Sequence, residues 1–557
     1  QKGSTTTFAY DNRGLLTTKA DPNEQTSTFT YNGDGSPHTA TDRKGRTTTF
    51  TYTPSGKLAT TTYAGGSTVT LGYDSLDRLT SMTDALGTTS YTYDAAGRLV
   101  STTDAQGVAI AYTYDAAGNI TKITYPGSKS VSYTYDALNR LKTAKIDFLA
   151  STPTATYTYD AAGRMTGLTQ FNGTTTTYGY DNTNRLTSLQ NRTGGGTTLA
   201  GYSFTLDDNG NRTTSTVSSA LTFYPATQFV DYAYSDAGNR LTRIGAGTNL
   251  AYDAEGQLSK KGSITCTFDD AHRMTATSSG SSTFYYDGAN RRLKAVRNGV
   301  TRRYIHDALG NLLAEADGSG VILRYFIYGK GLLAAVDAST GALYCYHFDA
   351  TGNTVAMTNA SQAVVNQYAY TPFGEIAAKS ETWAQPFTYV GQYGVFQESD
   401  NIYYMRARYY DASVGRFISE DPKGLGGGDV NLYVYVRNNP LMFIDPLGLE
   451  PSGFGVSVSH SNSLGGNGSV IDSSGNEAKS LSLLTLVGSS IDINLGDQPN
   501  ADTVSAEIGI GLGSHLGIGF YFFGDDAQYG GISIHIGLSI GSPIYISATI
   551  PHAENVH

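Results

Sequence analysis

Along the first third of the chain, aromatic or aliphatic residues alternate with threonine and serine, as in "TYTYD". This is the period-two pattern of a strand with two different faces. The alternation stops at one recurring phrase: "YTYDAAGRL" at 91–99 returns as "YTYDAAGNI" at 112–120, "YTYDALNRL" at 133–141 and "YTYDAAGRM" at 157–165. Counted on the tyrosine of "YD", the register runs Tyr10, Tyr31, Tyr52, Tyr73, Tyr93, Tyr114, Tyr135, Tyr159 and Tyr180, in steps of 20 or 21 with one of 24. It returns more closely spaced at Tyr252, Phe268, Tyr286 and Tyr304. Residues 187–250 are irregular, although "SDAGNRL" at 235–241 keeps the turn. The fourth residue after the tyrosine is glycine at 14, 97, 118, 163 and 256, asparagine at 139, 184 and 290, and aspartate at 77. These types tolerate a left-handed backbone, so the position predicts φ > 0 in a hairpin loop. An apolar residue then opens the return strand: Leu79, Leu99, Ile120, Leu141, Met165, Leu186 and Leu258. Each repeat therefore predicts a β-hairpin of about twenty residues, and consecutive hairpins must pair because one alone is not stable. The expected fold class is all-β, with almost no helix before residue 330.

Composition sharpens this. The 557 residues exceed one compact core and imply several domains. Only 15% of them are charged, while 65 are Gly and 41 are Tyr, the usage of strands and turns. No segment reaches the ~18–20 apolar residues of a membrane-spanning helix. Cys266 and Cys345 are too few for a disulfide framework and lack metal-site spacing. A net charge of −10 argues against a nucleic-acid surface on the shell. No cofactor motif is read, and none is expected. The chain opens inside a repeat, without a signal-peptide pattern, and is expected to be part of something longer. The aspartates beside each tyrosine (Asp94, Asp115, Asp136, Asp160) are either an array of catalytic or calcium-binding carboxylates or turn openers accepting backbone N–H groups. The second reading is the one taken.

"YDAAGRL" at this period resembles the YD repeat of Rhs proteins, of the C subunits of insecticidal Tc toxin complexes, and of the teneurin shell; the resemblance covers roughly 1–449. It implies a long sheet spiralling into a hollow shell. The sequence itself adds that many Thr and Ser lie on one sheet face, which suits a wet lumen better than a packed core.

The stretch 387–449 breaks the period and resembles the Rhs core-associated segment, through "RYYDASVGRF", the first "DPKGL", "NLYVYVRNNP" and the final "DPLGL". Both Asp-Pro-x-Gly stretches are by themselves ordinary turns. The resemblance implies more: a segment that cuts its own chain just after the second "DPxGL". Carried over by position, Asp421 and Asp445 form an aspartic-protease-like carboxylate pair, with Arg408 as the supporting cation. Leu449–Glu450 is then the scissile bond. Two carboxylates held close do not both ionise easily, so one serves as acid while the other activates water. Arg416 reads as a structural ion-pair partner, and "GLGGG" at 424–428 as a flexible connection.

After Leu449 the repeat vanishes. Residues 450–557 hold ten acidic residues against one base, Lys479, a net of −9 out of −10, which marks a domain boundary. The organisation read is a YD-repeat shell at 1–330, a core-associated segment at 331–449 and a variable C-terminal cargo at 450–557. The tail alternates like strands ("SLSLLTLVG", "SSIDINLG", and two longer runs from 504 and 531). A site of His515 and His535 with Asp525 and Asp526 competes there with the polar face of a half-buried sheet. The same alternation fits a membrane-active β-hairpin or a soluble sandwich. The resemblance implies a polymorphic toxin, secreted or at the cell surface. Its expected partners are its own cargo inside the shell, a cognate immunity protein and a secretion or Tc-type delivery machinery. The rival is a cell-surface or structural YD protein without a toxin.

Overall fold

The computed structural model describes residues 5–221, 230–235 and 239–453. Beyond these it describes the backbone of short strands at 470–471, 477–478, 491–494, 503–510, 516–523, 533–537 and 545–549. The tail strands Thr503–Ile510 and Leu516–Phe523 pair as a hairpin, and Ser533–Gly537 pairs with both Ile491–Asn494 and Tyr545–Thr549. The candidate His515, Asp525 and Asp526 and the run at 480–488 lie outside the described residues; of His535 only the backbone is described.

Among the described residues, the strands form two long antiparallel sheets of 20 and 16 strands. The first runs from Thr7–Tyr10 to Arg212–Ser219 and the second from Tyr232–Tyr234 to Ile376–Glu381. Each strand pairs with its neighbour in sequence, as consecutive hairpins require. There is no α-helix among these residues, only short 3₁₀ turns such as Pro126–Ser128. Strands also occupy the described parts of the irregular stretch 187–250: Leu186–Arg192, Thr198–Leu206 and Arg212–Ser219 end the first sheet. The second sheet continues without interruption across residue 331.

The repeated phrase acquires a physical meaning at each of its letters. Its fourth position is left-handed after every tyrosine or phenylalanine of that register except Tyr304: Gly97 has φ +81°, Asn139 +58° and Asp77 +59°. Beyond Tyr304 the turn is set two residues later, by Asp307 and Gly310 (φ +81°). The Gly97 N–H closes the turn on the Asp94 carbonyl at 3.0 Å, and the strand register shifts just before the YD tyrosine. That is the three-residue hairpin with a bulge. The aspartate is a turn opener, as read: Asp94 Oδ1 accepts from Ala96 N at 3.0 Å and Arg98 N at 2.9 Å. A second turn of the same geometry, missed in the sequence, closes the opposite edge halfway through several repeats, as at Asp104 and Gly107, while others use a two-residue turn (Asp84–Gly87) or the 3₁₀ turn Pro126–Ser128.

Tyrosine and arginine join one repeat to another. The Tyr114 hydroxyl donates to the Leu99 carbonyl of the preceding repeat at 2.6 Å, and Tyr135 does the same to Ile120 at 2.9 Å. Arg98 pairs with Asp94 in its own turn (Nε–Oδ2, 2.8 Å), donates to the Asp115 carbonyl of the next at 2.9 Å, and lies 4.8 Å from the centre of the Tyr114 ring. One phrase thus makes both the turn and the contact that stacks the next turn on it. Tyr114→Phe removes one such bond and should lower stability by about 1 kcal/mol, read as a shift in the urea midpoint.

The two sheet faces differ. Thr51 and Thr60, Thr92 and Ser101, and Thr134 and Thr143 pair across strands at 2.6 Å on the exposed face. The other face is packed, which a wet-lumen reading of the threonines does not anticipate. Tyrosines two positions before "YD" (Tyr133, Tyr157), and Tyr125 at the end of a return strand, enter a core shared by both sheets. Tyr125 and Tyr133 donate to the carbonyls of Phe326 and Tyr328 at 3.1 Å, and Tyr157 accepts from Lys330 N at 3.0 Å. Phe326, Ile327, Leu332 and Ala334 there are fully buried.

Candidate functional site

From residue 387 the hairpin rhythm ends. Phe396–Ser399, Ile402–Met405, Arg408–Asp411 and Arg416–Phe417 form a four-stranded sheet packed over a cluster that includes Tyr389, Tyr403, Tyr410, Phe417 and Tyr435. The two Asp-Pro stretches are indeed turns. Gly424 N donates to the Asp421 carbonyl at 2.8 Å, and Gly448 N to that of Asp445 at 3.3 Å. They are also neighbours. Arg408, on its strand, places Nη2 2.8 Å from Asp421 Oδ2 and 3.4 Å from Asp445 Oδ2, so these oxygens are at most about 6 Å apart. Its Nε donates to the Gly448 carbonyl at 2.6 Å and its Nη1 to that of Leu432 at 3.1 Å, while the guanidinium lies 3.5 Å from the centre of the Phe417 ring.

The peptide at 449–450 is held in the same place. Leu449 N donates to Asp445 Oδ1 at 3.0 Å, Lys423 N to Asp421 Oδ1 at 2.8 Å, and Lys423 Nζ pairs with Glu450 Oε2 at 3.0 Å. Arg408, Asp421, Asp429, Leu432, Val436 and Asp445 line a cavity of ≈ 10 Å³, about the room one water needs. Burial pushes Asp445 up to about 6, against the pull of Arg408 and of the Leu449 and Glu450 N–H groups. Burial raises Asp421 as well, opposed by the closer Arg408 charge. At mildly acidic to neutral pH this arrangement can hold one carboxyl protonated beside one carboxylate.

All five residues singled out in the sequence (Arg408, Asp421, Asp445, Leu449 and Glu450) come together. Two of its readings change. No ion pair of Arg416 occurs among the described residues. Its Nη2 donates to the Asn239 carbonyl at 2.8 Å and to Asn431 at 3.1 Å, and its guanidinium packs against Tyr234 and Tyr433. "GLGGG" is a tight turn rather than a loose connection: Gly424–Gly427 is a 3₁₀ turn, and a Cβ on Gly427 would lie 2.5 Å from Asp421 Oδ2. Lys423 and Gly448 were not singled out, although each stands inside one of the two motifs. At Gly448, φ is +67° and a Cβ would meet the Met405 carbonyl at 2.7 Å. Gly448→Ala should displace the 445–449 turn and cost about 1–3 kcal/mol, checked by denaturant melting. Elsewhere Asp42, Glu255 and His272 bring potential metal-ligand atoms together, but Asp42 is taken by its own turn and Arg46, and Glu255 by Arg43.

Comparison with known proteins follows the same outline. The teneurin YD-shell model matches residues 154–441, more than half the chain, and the RHS repeat model matches 73–109, 94–129 and 114–152. The tRNA3(Ser)-specific nuclease WapA of Bacillus spizizenii is 30% identical over 222 residues, 38% of this chain and 9% of its own length. Toxin subunit YenC1 of Yersinia entomophaga is 27% identical over 249 residues, 40% of this chain and 24% of its own. The chain thus spans no more than a quarter of either relative. Among solved structures, the TcdB2-TccC3-TEV crystal structure superposes with a TM-score of 0.63 at 16% identity, over 80% of this chain and 28% of that one, a likeness of fold. The hairpins with their linking tyrosines and the non-repeating segment that follows them agree with what the models match: the chain belongs to the teneurin YD-shell family.

Proposed function

We propose that the segment around Arg408 hydrolyses the Leu449–Glu450 bond of its own chain and so frees residues 450–557 as a cargo. The observation that carries this is a single guanidinium touching both buried carboxylates and the Gly448 carbonyl, one residue before that bond. Asp421, nearer the cation, is the base: it takes a proton from water as the oxygen adds to the Leu449 carbonyl carbon. Asp445, raised by burial, is the acid: it hands its proton toward the Glu450 nitrogen as the C–N bond breaks. The new Leu449 carboxyl then yields its proton to the Glu450 amine, so the products are a carboxylate and an ammonium, and the pair ends with its proton exchanged.

In this reading, 1–330 and 331–449 form the enclosing shell with its core-associated segment, and 450–557 is a toxin held until delivery. Support comes from relatives whose names describe a tRNA nuclease and a toxin subunit. A cognate immunity protein and a secretion or Tc-type delivery system are its partners, and the protein acts outside the producing cell. The test is purification of the full chain. Two pieces meeting at Leu449 and Glu450, with 450–557 resistant to added protease while the shell is whole, are expected. A single intact band rejects the cleavage, and rapid digestion of the tail rejects enclosure. Growth arrest on expressing 450–557, relieved by a neighbouring reading frame, distinguishes a toxin from a structural YD protein.

The pH dependence follows from the pair. As pH rises through about 6, Asp445 loses the proton it must donate, so the single-turnover rate should fall about tenfold per unit above that point. A rate still rising between pH 6 and 8 would refute the assignment of Asp445 as acid.

A further inference from the structure

One cluster of charges outside the cleavage pair ties it to distant parts of the chain. Glu420, adjacent to Asp421, is mostly buried and accepts from Arg43 Nη2 at 2.8 Å, Arg240 Nη2 at 3.1 Å and the Tyr433 hydroxyl at 3.3 Å. Arg43 in turn reaches Asp21 at 2.7 Å, the Glu255 carboxylate at 3.4 Å and the Glu255 carbonyl at 2.7 Å. A single guanidinium from the turn that links the second and third hairpins of the first sheet thus joins a neighbouring turn of that sheet, a turn of the second sheet and the residue before Asp421. The second-sheet turn is pressed close. Gly256 has φ +71°, a Cβ on it would lie 2.2 Å from Glu420, and its carbonyl accepts from Tyr433 at 2.7 Å.

Neither Arg43 nor Glu255 belongs to the repeat scheme. The arginine of the repeat stands four places after the turn aspartate, as Arg46 does in pairing with Asp42. Arg43 occupies the first place, where other turns carry Asn12, Pro22, Ser75, Ala95 or Ala116. Glu255 is buried at a place where equivalent turns expose Ala96 or Leu138. Removing two arginines and three carboxylates from bulk water is costly, and the geometry offsets this only when all of the segments have come together.

We infer that Arg43 is a positioning residue for self-cleavage, holding Glu420 and through it Asp421, so that the carboxylate pair forms only once the first hairpins have folded against the second sheet. The inference rests on the self-cleavage reading. Through it, cutting is conditional on a folded shell: a chain with its early hairpins undocked leaves Asp421 unset and keeps its tail attached.

The test is the single-turnover cutting rate of the full chain after refolding. Arg43→Ala should cut at least tenfold more slowly than wild type with its circular dichroism unchanged, and Arg43→Lys should recover part of the rate. Millimolar methylguanidinium should restore Arg43→Ala, whereas a merely destabilised shell would gain nothing from a mild denaturant. Arg78→Ala removes an ordinary repeat ion pair with Asp74 that does not touch 418–433, and should stay within twofold of wild type. The inference is overturned if Arg43→Ala cuts at the wild-type rate, if Arg78→Ala slows as much, or if methylguanidinium has no effect. A wild-type chain that never cuts removes the cleavage reading itself, a separate failure.

Discussion

Asp445→Asn leaves the chain in one piece: on a denaturing gel the full-length band persists where wild type gives two fragments meeting at Leu449 and Glu450. A positioned general acid contributes about 10²–10⁴ in rate, and the amide that replaces it has no proton to give at this pH. The same loss is expected for Asp421→Asn, whose amide cannot take a proton from water. Stability should move the other way. Burial raises Asp445 to about 6, so its folded form binds a proton more tightly than its unfolded form. Its contribution is therefore present at low pH and lost as pH rises toward and through 6. At pH 7 the neutral asparagine no longer carries that penalty and can still accept from Leu449 N. An Asp445→Asn chain that resists urea at pH 7 at least as well as the uncut Asp421→Asn chain, which keeps the Asp445 carboxyl, yet does not cut, identifies a chemical loss. An Asp445→Asn chain that still cuts at 449 returns both Asp-Pro stretches to the status of turns.

The second large effect concerns how the single-use segment is anchored. Arg292 is 2% exposed and pairs with Glu398 Oε2 at 2.5 Å; Arg297 Nε pairs with Oε1 of the same carboxylate at 2.5 Å. Its guanidinium also lies 4.4 Å from the Tyr404 ring centre and 4.6 Å from that of Phe396. Arg292→Ala leaves half of a buried pair and a space among aromatic rings, a loss of about 3–5 kcal/mol. It should appear as a lower urea midpoint in the uncut Asp445→Asn background and as protease sensitivity within 387–449. Burial alone would raise Glu398, but Arg292 and Arg297 outweigh it and hold the carboxyl below its usual range. The pair's contribution is therefore present above about pH 4.3 and is lost as pH falls through the lower folded value. An Arg292→Ala chain as stable as its parent would show that the rings, not the ion pair, hold the segment.

The hairpins are legible in the sequence because each is local. The turn geometry at Gly97, Asn139 or Asp77 depends on the residue at that place, and the strands that follow begin at Leu99 and Leu141 as the pattern says. What linked the hairpins was hidden, although its letters were in plain view. The Arg98 contact with Asp115 and Tyr114 is a contact between turns, and no pattern within one turn states it. The turns at the opposite edge went unread because their sequence varies: Asp104-Ala-Gln-Gly in one repeat, Gln170-Phe-Asn-Gly in another. The site residues were found by resemblance, not by chemistry, since two Asp-Pro-x-Gly stretches 24 residues apart describe turns equally well.

By itself, then, the sequence determined the all-β class, the hairpin period, the left-handed turn positions and the end of the repeat before 450, all consequences of neighbours along the chain. The tertiary structure alone decided that the tyrosine face packs between two sheets and that Arg416 is held by carbonyl, amide and ring. It also decided that Arg408 sits between Asp421 and Asp445, and that Arg43 reaches Glu420 across 377 residues. The physical reason is the same for each. Burial and charge pairing depend on which distant segments share a volume, and a repeating local code is silent about that.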